Sequence, residues 1–253
     1  MKRNILFFAL FILIAYAIMI RFMISNKKNI AEILPVPTTQ PLPTPKIKRV
    51  DQYAYAYVTA GSLSLIPNFS DRFAAQTIYE ENDCKAVING GFYDKQNKPL
   101  GLFQVGDKTY GKQLDSDLLN GFVWMDASGT AVISSELSPQ PVQFALQTGP
   151  MLLFNGNVLP LSIHNDAPAR RMVAAKNSEL IFLTVYNPDS VFDGPLLGDL
   201  PKIVQEISQK ENLHISEAIN LDGGSASAFY SEETKLSELT PVGSLFCLRG
   251  VSS

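Results

Sequence analysis

The stretch EAINLDGGSASAFY, residues 217–230, carries an apolar run up to Asp222 and follows it with two glycines and a string of small residues. A carboxylate leaving a buried strand must be solvated, hydrogen-bonded or paired, because an isolated buried charge is too costly. Gly223 and Gly224 permit positive φ and expose backbone N–H groups, so the turn after Asp222 can surround an anion or a sugar, and Ser225 and Ser227 add hydroxyls. The same letters also spell a plain turn in which Asp222 caps its own backbone.

CKAVINGGFYD, residues 84–94, has the same outline: apolar run, polar side chain, two glycines, aromatic. Asn89 supplies a donor and an acceptor suited to a sugar hydroxyl or to orienting a carboxylate. Gly90 and Gly91 clear space beside it. Asp94 is either a second acid or the cap of the turn that follows. One such element is a turn, whereas two imply a shared site.

Working outward, GDLPKIVQEISQKENLH (198–214) has the clearest helix signature, with Asp199 as N-cap, Pro201 in the first turn, and Leu200, Ile203, Val204 and Ile207 on one face. It leads into the strand that ends at Asp222. NFSDRFAAQTIYEEND (68–83) reads as a second helix delivering the chain into CKAVI. DQYAYAYVTA puts Tyr53, Tyr55 and Tyr57 on one face, and SLSLIP after a turn at Gly61 makes a hairpin. Residues 98–111, 121–134 and 142–160 read as short strands joined by glycine turns, ELIFLTVY as a buried strand and GSLFCLRGV as a closing one. Strands with two main helices predict an α+β or mixed α/β single domain, a central mixed β-sheet with flanking helices.

LQTGPML interrupts an apolar run with Thr148, Gly149 and Pro150, a poor design for a continuous strand. Thr148 and the Gly149 backbone are therefore candidate ligand contacts, with a bulge as the structural alternative. In HNDAPARRMVAA, the guanidinium forks match phosphate or carboxylate. Arg171, directly before the small apolar run, is the one expected to be pinned by a strand, with Arg170 pointing away. A surface ion pair with Asp166 is the competing explanation. His164 has no His or Cys partner at ligand spacing and reads as a loop residue.

A formal net charge of −3 provides no broad basic field, so no nucleic-acid partner is expected. Two cysteines exclude a multi-cysteine metal site, and no metal ligands are assigned. Cys84 and Cys247 can pair if their segments lie side by side, or stay as two buried thiols. Nucleotide-loop, zinc-protease and nucleophile-elbow motifs are missing, and nothing identifies a cofactor. Residues 1–26 read as an uncleaved signal anchor, a transmembrane segment long enough to cross a bilayer. Residues 27–48, with Pro35, Pro37, Pro41, Pro43 and Pro45, read as an extended linker. The expected arrangement is a single-pass cell-membrane protein, with the charges flanking the anchor leaving open on which side its domain, 49–253, lies.

VINGGFYD, PLGLFQVGDK, LQTGPMLLFNG, ARRMVAA and AINLDGGSASAFY, in that order, resemble the phosphodiester glycosidase domain in its short bacterial form. The resemblance covers about Tyr53 to Val251, and its specificity lies in the ordered set. It implies a glycoside hydrolase acting on a sugar phosphodiester, in an envelope or extracellular glycan, on a mixed α/β fold placed outside the cytoplasm. It carries over to Asn89, Gly90 and Gly91, to Thr148, Gly149 and Pro150, to Arg171, and to Asp222, Gly223, Gly224 and Ser225. Asp222 is the expected general base or nucleophile, Arg171 the phosphate clamp and Asp94 the reserve carboxylate. The family's small polar residue or glycine after the arginine, and the further glycine beyond it, give way here to Met172, Ala174 and Ala175. A non-catalytic polysaccharide-binding module using the same cleft is the alternative.

Overall fold

The computed structural model describes residues 47–137 and 141–252, of which Val251 and Ser252 by backbone alone, together with Arg21. Its largest element is β2 (Tyr53–Pro67), fifteen residues long. No turn occurs at Gly61, where a hairpin was expected, because the strand changes partners there instead. Residues 54–60 pair with β12 (Leu180–Tyr186), and residues 59–67 pair with β16 (Ser244–Ser252). Alternation on β2 changes phase near Gly61, with Ala54, Ala56, Val58 and Ala60 on the inter-sheet core before it and Leu63 and Leu65 after it, while Tyr53, Tyr55 and Tyr57 do share the other face.

Around β2 an 11-stranded sheet forms, with order β10 (Asn157–Val158), β9 (Met151–Phe154), β13 (Glu217–Asn220), β11 (Arg171–Lys176), β12, β2, β16, β3 (Ala86–Asn89), β14 (Phe229–Tyr230), β15 (Lys235–Leu236). β1 (Lys48–Val50) pairs with the start of β2. A second sheet of five strands has the order β5 (Lys108–Gly111), β4 (Phe103–Val105), β8 (Val142–Thr148), β6 (Gly121–Asp126), β7 (Ala131–Ser134).

The two helices described after residue 47 are short: α1 (Ala75–Glu81) has 7 residues and α2 (Leu200–Lys210) has 11. The fold is therefore mostly β, with antiparallel pairing throughout both sheets, and the expected α+β or mixed α/β class is corrected. The misreading has a specific cause. β2–α1–β3 and β12–α2–β13 are genuine strand–helix–strand crossovers, as the sequence indicates. In each, however, a strand from elsewhere in the chain lies between the two: β16 separates β2 from β3, and β11 separates β12 from β13. Each inserted strand runs antiparallel to both neighbours, so a local parallel signal becomes an antiparallel sheet. Asp199 does occupy the position before α2, but its side chain makes no capping bond. In 68–83 the helix is confined to 75–81, because the buried Asn68 amide holds the Phe73 backbone in a loop through both its N–H and its C=O.

The main core lies between the sheets. Phe246 of β16 meets Phe182 of β12 at 4.9 Å between ring centroids and Phe144 of β8 at 5.8 Å, which ties one sheet to the other. On the far face of the large sheet, Leu200, Ile203, Val204 and Ile207 of α2 cover Val173, Ala175, Leu183 and Val185. α1 covers Val87, Leu245 and Cys247 with Ala75 and Ile78. β11 is thus apolar on both sides, Met172 and Ala174 facing the smaller sheet while Val173 and Ala175 face the helix. The bulk after Arg171 is core packing.

Among the described residues no helix is long and apolar enough to cross a membrane, which overturns the expected single-pass placement. The anchor, 1–26, and the linker, 27–48, on which it rested lie outside the described residues, Arg21, Ile47 and Lys48 excepted.

Because β16 pairs with β3, Cys84 and Cys247 come to a Cα separation of 5.4 Å and form a disulfide across 163 residues. Closing so long a loop restricts the unfolded chain strongly. Replacing both cysteines by serine is expected to lower unfolding free energy by about 2–5 kcal/mol, measured by denaturant titration, with reductant producing the same loss in the parent and none in the variant.

Candidate active site

Asn89 closes β3 fully buried, and its side chain faces the DGG segment rather than solvent. Its Nδ2 donates to the Asp222 carbonyl at 2.8 Å and to the Gly90 carbonyl at 3.1 Å, while its Oδ1 accepts from the Ala228 N–H at 2.9 Å. In return the Asp222 N–H donates to the Gly90 carbonyl at 3.1 Å. The two Gly-Gly elements, 133 residues apart in sequence, are stitched directly to one another.

Thr148 and Gly149 join the same junction from the other sheet, because the break at TGP is where the chain passes from β8 into β9. The Thr148 hydroxyl donates to the Asn220 carbonyl at 2.9 Å, and the Gly149 N–H to the same oxygen at 3.1 Å. Asn220 Nδ2 donates back to the Gly149 carbonyl at 2.9 Å. Asn220 thus does for TGP what Asn89 does for DGG. It went unnoticed in the sequence although the signal was present, since AVIN and EAIN both end a strand on asparagine immediately before the loop.

Arg170 and Arg171 divide differently from expectation. Arg171 lies in β11, and its guanidinium is spent on the segments before the strand and before α2. It donates to the Pro195 carbonyl at 3.0 Å and the Ala167 carbonyl at 2.7 Å, and pairs with Asp166 at 3.1 Å. Asp166 also accepts from the Gly198 N–H at 2.8 Å. Arg170, expected to point away, has no exposed surface and runs beneath the turn after Asp222, with Nε donating to the Ser227 hydroxyl at 2.7 Å. The gap at Gly223 has the same origin, for a Cβ there would come within 2.7 Å of the Arg170 carbonyl.

Asp94 caps its own turn, its Oδ1 accepting from the N–H groups of Gln96 at 2.8 Å and Lys98 at 2.9 Å. His164 is exposed in a turn. Among the described residues no cluster of three His, Cys, Asp or Glu side chains could hold a metal.

Asp222 is the chemically unusual group. It is only partly exposed, and its carboxylate accepts one protein hydrogen bond, from its own Gly223 N–H at 2.9 Å. Desolvation pushes it up to about 7, and the Gly223 bond opposes that rise. A carboxyl that changes charge near neutrality can take or give a proton at working pH. Gly223 and Gly224 are partly exposed beside it and Ser225 is exposed, which leaves this turn open to a ligand.

A family model described as phosphodiester glycosidase matches residues 82–252, a span containing every motif assembled at this junction. The chain belongs to the phosphodiester glycosidase family. It therefore carries a phosphodiester glycosidase-type hydrolase domain. Among solved structures, the chain resembles the catalytic domain of zebrafish N-acetylglucosamine-1-phosphodiester alpha-N-acetylglucosaminidase, auto-inhibited by its pro-peptide. The TM-score is 0.55 at 16% identity, over 74% of this chain and 73% of that one. A hypothetical protein from Synechocystis matches with a TM-score of 0.53 at 14% identity, over 80% of this chain and 61% of that one. At these identities the likeness concerns the fold. The uncharacterized protein YigE of Escherichia coli (strain K12) is 24% identical over 159 residues, and the match spans 58% of each chain.

The raised Asp222 sets a pH dependence of stability whose sign is fixed. Its unfolded chain ionises near 3.8 and its folded state near 7, so between these values the native state holds the extra proton and stability falls as pH rises. Above 7 the ionised group costs the fold up to about 4 kcal/mol. Asp222→Asn is therefore expected to melt above the parent at pH 8, with the gap closing toward pH 4, in thermal scans across that range.

Proposed function

We propose that this chain hydrolyses the glycosidic bond of a sugar phosphodiester within an envelope or extracellular glycan, with residues 49–253 as the catalytic domain. The observation that carries the reading is Asp222, a carboxyl raised to about 7 at the point where the N-G-G, T-G-P and D-G-G elements are hydrogen-bonded together.

Asp222 acts as general base. It accepts a proton from a water whose oxygen attacks the anomeric carbon, the C1–O bond breaks, and its electron pair leaves with the phosphate monoester. Such a leaving group is already stabilised, so less falls to a protein acid than in ordinary glycoside hydrolysis. This suits a site with one raised carboxyl, Asp94 being held in its own turn. The exposed Ser225 hydroxyl and the backbone of Gly223 and Gly224 contact the sugar phosphate. Asn89, Gly90, Gly91, Thr148 and Gly149 shape the site from within, since the Asn89 and Thr148 side chains are already engaged with the backbone. Arg171, its charge met by Asp166, serves the phosphate by fixing the segment before β11.

With the full chain and a sugar phosphodiester that releases a reporter alcohol phosphate, kcat/KM is expected to fall as pH drops below about 7, because the base becomes protonated. Asp222→Asn should lose at least about 100-fold in kcat and abolish that limb. Glycan binding by the parent without turnover would replace hydrolysis by the binding-module alternative, and undiminished turnover by Asp222→Asn would remove this carboxylate from the chemistry.

A further inference from the structure

Arg170 is a buried cation that the mechanism above does not use. It has no exposed surface, yet among the described residues no carboxylate lies within ion-pairing distance of it. An arginine buried without a direct ion pair is expensive, and desolvation pushes its guanidinium down to about 10, the more distant charge of Glu238 opposing the fall.

What surrounds it is the Asp222 turn. The Arg170 carbonyl accepts from the Gly224 N–H at 2.8 Å, at the start of the 3-10 turn Gly224–Ala226. Its Nε donates to the Ser227 hydroxyl at 2.7 Å and one terminal nitrogen donates to the Ser227 carbonyl, at the end of the same turn. That nitrogen also donates to the Ser237 carbonyl at 2.8 Å, and the Ser227 hydroxyl passes on a bond to the Gly224 carbonyl at 2.5 Å. The guanidinium carbon lies 5.0 Å from the centroid of the Phe192 ring, a cation–π contact. One residue thus grips both ends of the turn that begins where Asp222 ends. Because Gly223 and Gly224 would otherwise be the most mobile positions beside the carboxylate, something rigid has to hold them.

We propose that Arg170 is the positioning residue for Asp222, holding the Gly223–Ser227 turn, and with it the carboxylate, in the geometry that reaction requires. This rests on the reading of Asp222 as the reacting group. The adjacent Arg171, on the opposite face of the chain, holds the outer segments instead. Lysine cannot substitute for Arg170, since a point charge does not span the Ser227 hydroxyl, the Ser227 carbonyl and the Ser237 carbonyl as a planar fork does.

The test compares Arg170→Lys, Arg170→Met and the milder Ser227→Ala in the full chain, by steady-state kinetics on a sugar phosphodiester and by carbon NMR titration of the Asp222 carboxyl. Displacing a reacting group by about 1 Å can cost about 100-fold in rate. In variants that keep the parent's circular dichroism, kcat is expected to fall 10- to 100-fold with KM within about 3-fold, Arg170→Lys failing to rescue, and the Asp222 titration moving below the parent's as water reaches the loosened turn. A role confined to stability would lower the melting temperature while leaving both readings alone. Folded Arg170→Lys or Ser227→Ala with the parent's kcat and the parent's titration overturns the proposal. If the parent shows no turnover but the variants shift the Asp222 titration, positioning by Arg170 stands and the hydrolytic reading is what fails.

Discussion

Two hydrogen bonds hold the site together: Asn89 Nδ2 to the Asp222 carbonyl, and the Asp222 N–H to the Gly90 carbonyl. They join the end of β3 to the loop leaving β13, elements that stand far apart in the order of the large sheet. Without the join, the Asp222 N–H and carbonyl would be left unmet in the partly buried loop 221–228, which the fold does not tolerate. With it, the same segment reaches Ala228, whose N–H and carbonyl both close on Asn89, and enters β14 in register with β3. The connection that completes the sheet and the connection that presents the carboxylate are one piece of chain.

That economy has an electrostatic consequence. The residues binding the loop down are backbone amides, two asparagines and a buried arginine whose donors are turned toward serine oxygens, and none of them neutralises Asp222. The carboxylate is therefore dehydrated without being paired, the condition that raises a carboxyl toward neutrality. A nearby cation would have lowered it and made it an ordinary ion. Stability and reactivity are opposed at this position, as they commonly are where a site depends on an uncompensated group.

Much of this was legible in the letters. Apolar runs ending in small-residue loops identified β3, β8 and β13, the helical period identified α2, and the order of the motifs identified the family. What could not be read was pairing between distant strands. Nothing local in RRMVAA says that β11 inserts between β12 and β13, or in SLFCLRG that β16 inserts between β2 and β3, so a mixed sheet is expected where an antiparallel one stands. The same blindness misdirected Arg170, although Arg171 does lie in the strand as expected. A strand apolar on both faces gives alternation no purchase, and only the position of Met172 and Ala174 in the inter-sheet core shows that Arg170 faces inward while Arg171 faces out. Asn89 and Thr148 have the polar atoms a sugar site needs, but the fold uses those atoms on its own backbone.

The central claim is that a sugar phosphate sits against Asp222 at the junction of the two Gly-Gly elements. A crystal structure of the full chain with a non-hydrolysable sugar phosphonate diester tests it most directly. The account predicts the anomeric carbon facing the Asp222 carboxylate, one water between them, and the phosphonate over the Gly223–Ser225 turn. A ligand seated elsewhere in the fold, with the Asp222 carboxylate untouched and the turn unoccupied, would contradict it.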